Sequence, residues 1–268
     1  MVRVIVERGG VSEELARAAI ERGGAFLRGK RSRDPSAQVR SGDRVDVTLE
    51  APAVPPLSPA QLLHLDDRVI GVDKPAGVSA QEDLAGGPAL PQLCTALLKQ
   101  LGERETQALL VHRLDKGTTG VCVLARTRRA QTALLEEFRE HRARKEYRAL
   151  VAGSPPDDQG LIGVEVDRAA ARTRWRVVER YGGAALISAL PETGRTHQIR
   201  AHLRGIGLPL LGDTRYGGPA FVTRDDGARH DFARPMLHAL GLEVLGLRLT
   251  APPPSDFEAA RAFLSRGR

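Results

Sequence analysis

The stretch "HRLDKGTTG", residues 112–120, sets an arginine two positions before an aspartate and follows them with small, turn-forming residues. Apolar runs flank it, "ALLV" at 108–111 and "VCVLAR" at 121–126. That contrast reads as a polar loop between two short buried strands, the second over residues 120–125. Asp115 then has two readings. In one it accepts backbone N–H bonds while Thr118 or Thr119 closes a side-chain turn. In the other the loop is a place for chemistry, its carboxylate presented by a rigid scaffold.

Working outward, 268 residues suit one large domain, or one large and one small. A hydrophobic share of 41% excludes wholesale disorder. The net charge of +7, with a pI near 10.0, favours a phosphate-rich partner, because clustered Lys and Arg release counterions from nucleic acid. Cys94 and Cys122 form no C-x-x-C pair and sit in apolar surroundings, so neither a disulfide framework nor a thiolate metal site is expected. The opening "MVRVIVERGG" has no apolar signal region, and no uncharged stretch approaches the roughly 18 residues of a membrane span. A soluble, cytoplasmic protein is the expectation.

"APAVPPLSP", residues 51–59, is too rich in proline for a helix or central strand and reads as a linker. Before it, Ser12 caps a helix, Gly23 and Gly24 make a turn, and "RVDVTLE" at 44–50 alternates as a strand. After it, "RVIGVDKPAGVSAQ" at 68–81 is a strand running into a Pro-Gly turn. Thr127 caps a helix with Ala130, Ala133, Leu134 and Phe138 on its apolar side, and "EYRALVAG" at 146–153 is a strand. Alternating stretches at 161–166, 172–180 and 184–192 follow closely enough for antiparallel pairing. A short helix within 195–205 ends at Gly205, and "SDFEAARAFLSRG" at 255–267 is a last helix opening on a Ser255–Glu258 capping box. The class is α+β, a mixed, largely antiparallel sheet flanked by helices, with a small α/β unit in front.

Two apparent motifs fail on context. "GAFLRGKR" at 24–31 begins like a phosphate-binding loop, but Arg31 stands where Ser or Thr should hold magnesium, and the glycines end a helix instead of starting one. His197 and His202 are five apart, not the four that would share a helical face, so no metal site is expected. The run "REHRARKEYR" at 139–148 carries six basic residues, counting His141, against two glutamates. As a helix end it suits the macrodipole; leading into Tyr147 it also joins a basic surface to an aromatic platform.

Four separated stretches, "VDKPAGVSAQ" (72–81), "HRLDKGTTG" (112–120), "ARKEYRALV" (143–151) and "PETGRTHQIRAHL" (191–203), followed by "LGDTRYGG" (211–218), resemble in order and spacing the RluA-type pseudouridine synthases. The resemblance covers about residues 60–245. "AIERGGAFLRGKRSRDPSAQVRSGDRVDV" (19–47) is similar to a shortened ribosomal-protein-S-four-like RNA-binding domain whose usual first helix is poorly represented. The family implied isomerises uridine in RNA without a cofactor, detaching the base at nitrogen and rejoining it through carbon.

By this resemblance Asp115 is the catalytic carboxylate, acting as nucleophile or base. Arg200 pairs with it, since a guanidinium favours and orients a carboxylate anion. Tyr147 stacks on the flipped base and can assist proton removal from carbon five during rejoining, and Arg113 helps occupy the space that base flipping vacates. His112, Lys145, Arg195 and His197 complete the substrate contacts. The plain alternatives are a core tyrosine for Tyr147 and a phosphate or surface contact for Arg200. Two departures stand: Thr118-Thr119-Gly120 replaces the usual T-S-G, and "LGLRLTAPPP" replaces a Phe and His-Pro ending, which touches the packing of the last strand.

The reading is therefore an RNA pseudouridine synthase, with a small RNA-binding domain at 1–50, a linker at 51–59 and a catalytic domain at 60–268. Its expected partner is large-subunit ribosomal RNA, with transfer RNA the alternative. It is expected to act as a monomer without cofactor, metal or membrane. The rivals are a non-catalytic ribosome assembly protein and an RNA glycosylase that releases the base.

Overall fold

A helix opens the chain where the sequence showed little sign of one. The computed structural model describes residues 1–50, 54–82 and 86–266; residues 51–53 of the expected linker and 267–268 of the last helix and catalytic range lie outside the described residues. Helix α1 (Val2–Gly9) buries Ile5 with Met1, Ala16, Ile20 and Ala25, while Val2 and Val6 pack at its side. Val2, Ile5 and Val6 fall at i, i+3, i+4, and Gly10 closes the helix in the left-handed region at φ 66°. The small N-terminal unit therefore begins with a helix of its own.

Helix α2 (Glu13–Glu21) is capped as expected, the Ser12 hydroxyl accepting from Leu15 N at 3.2 Å. Strands β1 (Ala25–Leu27), β2 (Lys30–Ser32) and β3 (Val45–Val47) form a three-stranded antiparallel sheet in the order β2-β1-β3. Of the stretch read as a strand at 44–50, only three residues pair. This unit meets the rest of the chain through Arg33, which bonds Glu82 at 2.7 Å.

The main body follows with β4 (Leu62–Leu65), β5 (Val69–Lys74), α3 (Leu90–Gln100), β6 (Leu109–Leu110), β7 (Thr119–Ala125) and α4 (Arg128–Arg139). Next come β8 (Arg144–Ala152), β9 (Gln159–Ile162), β10 (Thr173–Tyr181), β11 (Ala184–Pro191) and α5 (Gln198–Gly205). The chain ends with β12 (Phe221–Thr223), β13 (Arg229–Asp231), β14 (Leu237–Val244), β15 (Leu247–Thr250) and α6 (Ser255–Ser265). Ten strands share one sheet, in the order β4-β5-β7-β14-β8-β11-β10-β9, with β15 on β14 and β6 on β7; β12 and β13 form a separate hairpin. Among the described residues only the β7–β14 pair within it is parallel. The architecture is α+β, as the alternating stretches implied.

Four sequence readings change in detail. Only Leu161 and Ile162 of the stretch 161–166 are strand, because β9 begins at Gln159 opposite Arg176. Helix α3, which burial of Leu90, Leu93, Cys94, Leu97 and Leu98 stabilises, had no assignment. The "LGLRLT" stretch forms β15, returned by a Leu245-Gly246 turn with φ of 49° and 79°. The capping box of α6 does not form: Pro254 is the N-cap, and Asp256 is drawn to Arg234 at 2.7 Å.

Register is what positions the site. Lys74, Gly120, Ala239, Tyr147 and Ala189 are successive partners across β5, β7, β14, β8 and β11, so they share one row and one face. Gly120 has φ 108°, and a Cβ there would overlap the carbonyl of Ala239. Only glycine lets β7 approach β14 that closely where the 112–118 loop enters the sheet. The parallel contact covers only Thr119–His238 and Gly120–Ala239, tied by Thr119 Oγ1 to His238 Nδ1 at 2.9 Å.

Candidate active site

The loop of residues 112–118 is closed by its own main chain, Thr118 N donating to Asp115 O at 3.0 Å. The carboxylate is thereby left to point elsewhere, which weighs against the reading in which it only caps a turn. Buried Lys74 anchors the loop from below, its Nζ donating to Val78 O at 2.8 Å, Pro75 O at 3.0 Å and Lys116 O at 3.4 Å. Burial lowers the Lys74 pKa to about 8. His112 ties the loop to β7 as well: its Nε2 accepts from Val123 N at 3.0 Å and its ring stacks on Phe138 at 4.6 Å. Desolvation pushes its pKa down to about 3, so this imidazole is a neutral acceptor and part of the scaffold.

Helix α5 supplies the opposing wall. Ile199 and Leu203, four apart, are buried with Ala149, Val151, Ala185 and Ile187, and that stripe sets the rotation of the helix. Arg200 follows Ile199 and leaves the stripe sideways, toward the loop. The turn before it is clamped by Gln198, which accepts from Thr193 Oγ1 at 2.6 Å and donates to Arg172 O at 2.9 Å and Thr173 Oγ1 at 3.0 Å.

Arg200 and Asp115, 85 positions apart, meet at 3.2 Å between Nη1 and Oδ2. The firmer partner of Arg200 is Asp213, whose two oxygens take Nε at 2.6 Å and Nη2 at 2.7 Å. A bidentate pair of this kind fixes the guanidinium plane, and Asp213 is 1% exposed. Arg200 also lies over the Tyr216 ring at 4.9 Å. Burial lowers the Arg200 pKa, but Asp213 and then Asp115 raise it further, so the charge is secure. Asp115 thus receives the third nitrogen of a guanidinium already held in place.

The second oxygen of Asp115 faces His197 Nε2 at 3.8 Å. His197 has φ 55°, a left-handed conformation uncommon outside glycine, and its Nδ1 meets Tyr216 Oη at 3.1 Å. Desolvation lowers its pKa, with Asp115 opposing. Lys145 Nζ donates to Thr193 O at 2.8 Å, and burial lowers its pKa to about 8. Tyr147 is half-buried; desolvation, reinforced by Cys122 and Asp115, raises the pKa of its phenol. Arg113 and Arg195 are exposed, Arg195 Nε reaching Ala170 O at 3.1 Å.

One cleft of about 560 Å³ is lined by all eight residues singled out in the sequence, His112, Arg113, Asp115, Lys145, Tyr147, Arg195, His197 and Arg200. It presents a carboxylate with one oxygen held by a cation and one turned to the cavity, an aromatic wall and a basic rim. Such a site can attack or deprotonate a bound, phosphate-bearing group. Sequence reasoning passed over Asp213, Tyr216 and Lys74, although all three lie in motifs it quoted. Nothing local in "LGDTRYGG" or "VDKPAG" says where an aspartate or a buried ammonium will find its partner. Among the described residues no three His, Cys, Asp or Glu side chains gather to hold a metal ion. No helix among them is long and apolar enough to cross a membrane.

Residues 68–204 match the model of the RNA pseudouridylate synthase family. The chain is 34% identical to ribosomal large subunit pseudouridine synthase D of Xanthomonas campestris pv. campestris, over 91% of this chain and 82% of that protein. It is 32% identical to an RNA pseudouridine synthase of Chloroflexus aurantiacus, over 93% of this chain and 85% of that protein. Among solved structures, human RNA pseudouridylate synthase domain containing 4 superposes with a TM-score of 0.64 at 25% identity, covering 76% of this chain and 93% of that one.

Proposed function

The chain belongs to the RNA pseudouridylate synthase family of isomerases, which convert uridine in RNA to pseudouridine, and from that premise we propose that it acts on large-subunit ribosomal RNA with Asp115 as its catalytic carboxylate. The observation that carries the residue assignment is the Asp213–Arg200–Asp115 chain, which holds one carboxylate oxygen and leaves the other facing the cleft.

In the proposed reaction the target uridine leaves its stack, at a cost of a few kcal/mol, and enters the cleft. Asp115 initiates cleavage of the N1–C1′ bond, as nucleophile or base. The detached base turns and C5 bonds to C1′; the proton lost from C5 balances the one gained at N1, so no redox partner or cofactor is consumed. Tyr147 forms the wall against which the base turns. Its raised phenol pKa keeps it protonated, which favours stacking over a phenolate role. Exposed Arg113 is placed to fill the vacated stack, and Lys145, Arg195 and His197 to meet the backbone and the base. The test is to map pseudouridines in ribosomal and transfer RNA with and without the gene. Loss of pseudouridine from large-subunit RNA is expected; loss from transfer RNA alone, or no loss, would refute the substrate assignment.

Lys145 gives the site a pH signature. An ammonium with its pKa near 8 is charged below that pH and neutral above it. RNA affinity at fixed salt should therefore fall between pH 7 and 9 by about three- to tenfold, the size of one phosphate contact. Lys74 titrates in the same window but does not line the cleft, so a Lys145→Met enzyme should show a flat profile. An unchanged slope in that variant would remove Lys145 from the interface.

Within this proposal residues 1–50 are a ribosomal-protein-S-four-like RNA-binding domain, 51–59 a linker and 60–268 the catalytic domain, in a monomeric cytoplasmic enzyme. The separate core of Met1, Ile5, Ala16, Ile20 and Ala25 supports the division, and the two free, buried thiols suit a reducing compartment. Ten basic against eight acidic residues in the first 50 point to positioning over bulk attraction. Deleting residues 1–55 should weaken substrate binding and blur site choice while leaving activity on a short target RNA. Unchanged affinity and site choice would contradict this assignment.

A further inference from the structure

We propose that the C-terminal end of α4 is a second base-binding wall of the same cleft, taking an unpaired RNA base adjacent to the target uridine. The inference rests on the function proposed above and specifies how that site reads its substrate.

Leu135 is 46% exposed, and unlike the exposed Leu161 or Val164 of β9 and its following loop it lines the cleft that contains Asp115. Phe138, one turn on, lines it too, backed by the His112 ring. Arg139 and His141 follow along the same wall. A phenylalanine, a guanidinium and an imidazole on one wall are groups on which unpaired bases stack, and Leu135 adds apolar surface beside them.

His141 adds an independent sign. Arg142 N bonds back to Glu137 O at 2.9 Å and His141 N to Phe138 O, closing α4 with His141 as the residue after its Glu140 cap, at φ 56°. Glycine is the usual choice there, because a side chain in the left-handed region is strained. Backbone strain of this kind gathers at functional sites, and here it falls on a residue that lines the cleft. The occupant follows from connectivity. A uridine drawn to Asp115 stays joined through its phosphates to both neighbours, so adjoining nucleotides are carried to the cleft mouth. Leu135, Arg139 and His141 take no part in the bonds that hold Arg200 to Asp115 and Asp213.

The test uses the full chain and two RNA hairpins, one with an all-uridine loop and one with abasic nucleotides on both sides of a single loop uridine. In the Asp115→Asn background, so that turnover plays no part, the first hairpin should bind about tenfold tighter than the second, the scale of one stacked base. Leu135→Ser and His141→Gly should each shrink that ratio to about twofold. His141→Gly should do so with a Tm equal to or above that of the parent, which a damaged fold would not give. A parent that binds both hairpins equally, or variants that keep the tenfold ratio, would overturn the inference. A chain that shows the expected ratios but forms no pseudouridine would refute the proposed function and leave the binding wall standing.

Discussion

Replacing Asp115 with asparagine is expected to lower isomerisation by about a thousandfold or more, while RNA affinity stays within about tenfold. Asparagine keeps the shape and can still offer a carbonyl oxygen to Arg200 Nη1, now 3.2 Å from the carboxylate. What it loses is the charge and lone pairs of the oxygen that faces the cavity. A thousandfold corresponds to about 4 kcal/mol of activation energy, well above what one neutral hydrogen bond supplies. The measurement is single-turnover pseudouridine formation on an unmodified ribosomal transcript, with binding followed separately. Turnover above about a thousandth of the parent rate, in protein free of parent enzyme, would remove Asp115 from the chemistry. A collapse of affinity instead would assign it to binding.

Asp213→Ala should be the most damaging change away from the reacting atoms. Asp213 is 1% exposed and bonds Arg200 through both oxygens, so its loss leaves a guanidinium, itself 8% exposed, with the longer Asp115 contact and the Tyr216 ring in place of a bidentate partner. Removing one partner of a buried ion pair costs about 3–5 kcal/mol, because the remaining charge is desolvated without compensation. Activity should fall with stability, since Arg200 then has no fixed plane from which to hold Asp115. The double replacement Arg200→Leu with Asp213→Leu separates the two effects: most of the stability should return, because no charge is left buried, while activity stays lost. Urea denaturation beside single-turnover rates reads both. An Asp213→Ala enzyme of parental stability and rate would show that Arg200 needs no anchor.

Local chemistry was legible wherever a residue's neighbours in the chain are also its partners. Ser12 and Thr127 announce their helices because a hydroxyl reaches an amide three residues on, at 3.2 and 3.1 Å. Strands β10 and β11 show in their alternation, and the contiguous motifs around Asp115, Tyr147 and Arg200 were enough for the family resemblance. The failures were local signals with two solutions. The alternating valines of residues 2, 4 and 6 give a weak helical signal on their own, and the first helix shows only once Ile5 has a core to enter. Ser255 and Glu258 fit a capping box until Arg234 claimed Asp256.

The sequence by itself therefore determined many of the elements, the class and the residue types available for catalysis. Tertiary structure alone decided which of them meet: Asp115 with Arg200 across 85 residues, Arg200 with Asp213 from another turn, and Tyr147 in one row with Gly120 through the β7–β14–β8 register. The reason is physical. Spacing along the chain sets dihedrals and faces within a few residues, whereas a contact between distant segments depends on strand register and core packing, in which every segment takes part.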